Sequence, residues 1–176
     1  MPALVAIILG LGLALFALGR WRARPAAIPA LAGASREECA AARRIGYVPR
    51  PGQDPVTAIE DPRLAAMAIV LMMGALDGPL NRDEVEQIVI EAQVTFGTDR
   101  ATAEALAVTA AWILRRARGR RDLLARLAAV VAARAGREAA PDLMRMASAA
   151  AAHAGPIGRE AQAALDVIAR AFRVNV

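Results

Sequence analysis

The sharpest candidates for chemistry lie in one stretch, Leu64 to Phe96. Asp77 occupies a tight Asp77-Gly78-Pro79 turn, and Asp83, Glu84 and Glu91 follow on a segment of helical periodicity. Carboxylates are hard oxygen donors that suit Ca²⁺ or Mg²⁺. Glu84 and Glu91 are seven residues apart, hence on one helical face. Asp77 and Glu84 would form the nucleus of a divalent-metal site, with Asp83 and Glu91 as further ligands. A structural assignment competes with this one. Asn81-Arg82-Asp83-Glu84 has the spacing of a capping box. Asp83 and Glu86 stand where carboxylates complement a helix dipole, and Asp77 can accept backbone hydrogen bonds in its own turn. Two or three carboxylates without a fixed loop are few for a specific metal site, so the structural assignment is favoured.

Other reactive groups are scarce. The chain has one cysteine, Cys39, and one histidine, His153, far apart in sequence. That excludes an intramolecular disulfide and argues against a Cys–His pair. Arg36, Arg43 and Arg44 could activate the Cys39 thiol, but a small packing residue is the better assignment. His153 stands near a helix end, where a dipole role is common. No nucleophile elbow, phosphate-binding glycine loop or HExxH motif is present, so no catalytic residue is assigned and the chain reads as a non-enzyme. Arg115, Arg116, Arg118, Arg120 and Arg121 cluster at a helix junction. They would either meet anionic lipid or offset a helix C-terminus, the second being favoured.

These residues must be positioned by helices. The 176 residues are rich in Ala, the best helix former, with only 3% aromatics and no β pattern. All 22 basic residues are Arg, set against 17 acids for a net charge of +5. That balance is mixed rather than clustered, and no nucleic-acid-binding module is visible. Three regions follow. Residues 1–19 carry no charged side chain and are followed at once by Arg20, Trp21, Arg22 and Arg24, the pattern of a transmembrane anchor. The positive-inside rule puts the N-terminus outside and the rest in the cytoplasm, at a bacterial inner membrane. Ala6, Gly10 and Ala14 form a small-xxx-small row that would pair two anchors into a homodimer, although abundant Ala and Gly explain it as well. Residues 20–60 read as a Pro/Arg-rich juxtamembrane linker with one short helix, Ser35 to Arg44, capped by Ser35 and Glu38.

Residues 61–176 read as a helical domain. Asp61-Pro62 opens a helix apolar nearly all round, hence a central one. A second helix starts at Asn81, a third runs from about Asp99 to Arg118 with Gly119 as its C′ residue, and a fourth spans Arg120 to Ala135. A fifth opens at Pro141, and a sixth spans Gly158 to Phe172. The segment from Ala75 to Asp83 is echoed 77 residues further on, from Ala152 to Glu160. Both copies run from an apolar helix through Gly-Pro-apolar to Arg, an acid and an amphipathic helix. This predicts two pseudo-repeated helix-turn-helix units closing one core.

The pattern Asp77, Gly78, Leu80, Glu84 between an Ala-rich helix and an amphipathic one resembles the TerB-like family. That family includes the tellurite-resistance protein TerB and the N-terminal cytoplasmic domain of the membrane co-chaperone DjlA. The resemblance implies an all-α TerB-like helical bundle behind a single N-terminal transmembrane helix, with a metal role for the acidic turn. No His-Pro-Asp tripeptide of a J domain is present, so stimulation of Hsp70 does not carry over. The second copy has Ala154 and Ala161 where the first has Asp77 and Glu84. The function expected is a membrane-anchored scaffold or sensor module with a protein partner, in envelope or stress response. The alternative is a divalent-metal-binding accessory of a tellurite or oxyanion stress system.

Overall fold

The helix from Pro62 to Gly74 is the axis around which the others pack. Asp61 caps it, its Oδ1 accepting the Arg63 N–H at 2.9 Å, and Pro62 stands in the first turn, where no N–H is needed. Every side chain from Leu64 to Leu71 is buried, and so is Met73. The computed structural model describes residues 33–153 and 155–174. Seven α-helices and no strand are found among them: α1 Arg36–Arg44, α2 Pro62–Gly74, α3 Arg82–Phe96, α4 Arg100–Arg116, α5 Leu123–Ala135, α6 Ala140–Ala151 and α7 Arg159–Val174. The fold is therefore all-α. Helices α3, α4, α5 and α6 surround α2, while α1 lies on α4 and α7 covers α5 and α6. Alanines such as Ala68, Ala103, Ala110 and Ala147 are fully buried, so the helices meet through small side chains rather than aromatic wedges.

Local signals start and stop most of these helices. Ser35 with Glu38 and Asn81 with Glu84 both form complete capping boxes. Asp99 caps α4 through the Thr102 N–H at 2.7 Å. Gly97 closes α3 in the left-handed conformation, φ 59°, which is easiest for glycine. The end of α4 departs from expectation. It stops at Arg116, Ala117 is extended (φ −59°, ψ 138°), and Gly119 (φ 68°) instead leads a single 3₁₀ turn, Arg120–Asp122. The reason is tertiary: the Arg118 N–H turns away to a carboxylate oxygen of Asp54 at 3.0 Å.

The anticipated anchor, 1–19, with its Ala6/Gly10/Ala14 row, lies outside the described residues. Among those described, no helix is long and apolar enough to cross a membrane. Residues 36–60, read from sequence as a linker, contribute directly to the core. Ala42, Tyr47, Val56 and Ile59 are buried in the same cluster as α2. Packing therefore does not begin at Asp61.

The two Gly-Pro turns share one backbone feature. Helices α2 and α3 flank the first turn, α6 and α7 the second, and Gly78 (φ 150°) and Gly155 (φ 142°) occupy equivalent positions with positive φ. The units are not equal in burial. Helix α2 is enclosed on all sides, whereas α6 buries one face through Leu143, Met146, Ala147, Ala150 and Ala151.

Candidate functional site

The acidic turn that the sequence points to lies between α2 and α3. Asp77 is exposed in the turn after α2. Glu84 is committed to the cap, its Oε2 accepting the Asn81 N–H at 2.7 Å while Asn81 Oδ1 accepts the Glu84 N–H at 2.9 Å. Asp83 is exposed beside it in the first turn of α3. Glu91 is ion-paired with Arg145 of α6, whose guanidinium also reaches Thr95 Oγ1 at 2.9 Å and Asp142 at 3.6 Å. Seven helical residues place Glu84 and Glu91 about 10 Å apart along the axis, too far to share one ion. Among the described residues, no group of three or more His, Cys, Asp or Glu side chains is gathered closely enough to hold a metal. The second-copy position Ala154 lies outside the described residues. Ala161, the counterpart of Glu84, is buried and serves packing. His153 is exposed after α6, and Cys39 is half-buried against the core.

A second region stands out in the structure and not in the sequence. The loop from Tyr47 to Ile59 crosses the corner where α4 passes to α5. The buried Tyr47 hydroxyl donates to the Pro55 carbonyl at 2.9 Å. Its ring meets Trp112 of α4 edge to face, with centroids 6.3 Å apart. Asp54 closes the loop. Its Oδ1 accepts the Val56 N–H at 3.0 Å, its Oδ2 accepts the Arg118 N–H at 3.0 Å, and Arg126 of α5 pairs with it at 3.1 Å. Burial works against ionisation of Asp54, but these donors outweigh it and hold the carboxyl below the usual range. Arg126 completes the clamp by donating to the Arg118 carbonyl at 2.8 Å. The Asp54-Pro55 pair is the same cap-and-proline signal as Asp61-Pro62, and it opens a single 3₁₀ turn, Pro55–Ala58.

Beside the clamp, the ends of α2 and α4 and the start of α5 leave an open groove of about 380 Å³. Leu71, Met72, Leu114 and Leu123 give it apolar walls, and Arg115 and Arg120 provide its charge. Arg115 also pairs with Glu38 of α1. The described chain begins at the same corner, since Gly33 lies against the Arg116 guanidinium. The arrangement suits docking of an apolar ridge that carries carboxylates; it gathers no nucleophile and base.

No family model matches the chain, and no curated protein or solved structure matches it either. None of these comparisons identifies a TerB-like family; that resemblance rests on the sequence pattern Asp77, Gly78, Leu80 and Glu84 alone.

Proposed function

We propose that the chain is a membrane-tethered helical interaction module of TerB-like type, a scaffold or sensor at the inner face of a bacterial membrane. The groove between Arg115 and Arg120 is the observation that carries this reading. Apolar walls with an arginine rim favour a protein segment that is apolar and acidic. The tether is supported by the uncharged run 1–19 and the arginines after it. Thirteen residues lie between Gly19 and Gly33, fourteen Cα steps in all. At full extension they span about 50 Å, so the arginine corner stays within that distance of the bilayer. Commitment of Glu84 to a cap and of Glu91 to Arg145 favours this role over that of a divalent-metal accessory in tellurite or oxyanion stress.

The tether is tested on the full chain. It is expected to remain in the membrane pellet after alkaline carbonate extraction, and a periplasmic reporter fused after Val176 is expected to stay silent. Release into the supernatant, or an active periplasmic reporter, would overturn this topology.

A further inference from the structure

Three arginines, Arg50, Arg116 and Arg118, line a cavity of about 180 Å³ between the loop and α4. None of the three has a carboxylate partner among the described residues, although Arg63, Arg100, Arg115, Arg126 and Arg145 all do. All three are exposed, so water screens their mutual repulsion, and their unpaired guanidiniums remain free to meet an anion from solution. The carboxylate on the same loop does not serve, because Asp54 is taken up by Arg126 and two backbone N–H groups. Trp112 forms part of the cavity wall and is only 5% exposed, yet its Nε1–H is buried without a hydrogen-bond partner. That nitrogen lies behind the wall rather than open to the cavity, so a ligand would meet the arginines and the ring and not the indole N–H. Thr109, one turn earlier on α4, is likewise buried with an unpartnered hydroxyl. The walls are held in place from both sides. Asp54 and Tyr47 fasten the loop, and Pro49 and Pro55 stiffen it.

We infer that this cavity is an anion site that takes a phosphate group, with the guanidiniums of Arg50, Arg116 and Arg118 as its donors and Trp112 in its wall. Guanidinium forks match phosphate oxygens in pairs. The C-terminus of α4 presents only about half a negative charge nearby, which three whole positive charges exceed. The phosphate is either free in solution or part of a phospholipid headgroup, and the second is within reach because the tether joins the domain at Arg116.

The chain contains two tryptophans. In full-length protein carrying Trp21→Phe, Trp112 alone reports. Placed in phosphatidylcholine nanodiscs and titrated with inorganic phosphate, it is expected to show a saturable change in fluorescence if the source is free phosphate. Nanodiscs containing phosphatidylglycerol, without added phosphate, are expected to produce the change if the source is a headgroup. In either arm Arg50→Gln and Arg118→Gln, each with an unchanged melting temperature, are expected to weaken the response about tenfold. Arg118→Gln keeps the backbone N–H that holds Asp54, so a folding defect in one variant leaves the other informative. Arg134→Gln, an exposed arginine on α5, is expected to change nothing. Silence in both arms, or equal weakening by Arg134→Gln, would overturn the site.

Discussion

A chain begun at Asp61 is expected to lose cooperative folding, whereas one begun at Gly33 is expected to melt in a single transition. The shorter chain lacks Ala42, Tyr47, Val56 and Ile59, which the structure buries in the common core. Burying a Val-, Ile- or Phe-sized side chain is worth about 1.5–3 kcal/mol. Losing three of them removes on the order of 6 kcal/mol, against a total stability of about 5–15 kcal/mol for an ordinary domain. It also bares Trp112 and the flank of α4 on which α1 lies. Some of the loss is offset because fewer residues need ordering. Thermal and urea melts followed by circular dichroism decide the matter. Equal midpoints and equal slopes for the two chains would show that residues 33–60 are a linker after all.

Tyr47→Ala is expected to be the most damaging single change in that segment, costing about 4 kcal/mol. For a domain of this size that is a fall of roughly 12 °C in melting temperature. It removes a ring that is 4% exposed, its edge-to-face contact with Trp112 and the hydrogen bond to Pro55. Tyr47→Phe isolates the hydroxyl and is expected to cost about 1–2 kcal/mol, since the Pro55 carbonyl loses its donor. Both variants also differ from the parent chain in alkali, because both lack the phenol. Burial, with the nearby charge of Asp54, pushes the Tyr47 hydroxyl well above its ordinary value. The folded state therefore holds this proton more tightly than the unfolded one. Its contribution is complete below the unfolded value of about 10 and is lost as pH rises beyond it. The chain has one tyrosine, so Tyr47→Phe is expected to flatten stability against pH above about 10. An unchanged alkaline slope in Tyr47→Phe would mean that another group is responsible.

Local rules made the helical frame legible from sequence. Ser35, Asp61, Asn81 and Asp99 announce helix starts because a cap acts within three residues. Leu64 to Met73 announces the central helix because no face of it is polar. The Gly-Pro echo at a constant spacing of 77 residues could be read because repetition needs no knowledge of contacts. What stayed hidden was tertiary. Prolines and glycines between Pro25 and Asp61 read as punctuation, while Tyr47 finds Trp112 and Asp54 finds Arg118 across more than sixty residues. No periodicity encodes such pairs, although Asp54-Pro55 carried the same local signal as Asp61-Pro62. The early end of α4 follows from the same clamp. Glu91 shows the converse: its spacing from Glu84 invited a shared role, but its partner is Arg145 on another helix. The groove was out of reach for the same reason, since Leu71, Leu114 and Leu123 come from three helices.

Docking of a partner in the arginine-rimmed groove is tested most directly by crosslinking. Ala75 is exposed and lines the groove, and Gln162 is exposed on α7, which packs on α5 and α6. A photoreactive residue is placed at either position in the full chain, in its own membranes. The predicted result is one discrete protein adduct from position 75, lost when Arg120→Glu reverses the rim charge and absent from position 162. The same adducts from both positions, or an adduct at 75 that survives Arg120→Glu, would contradict it.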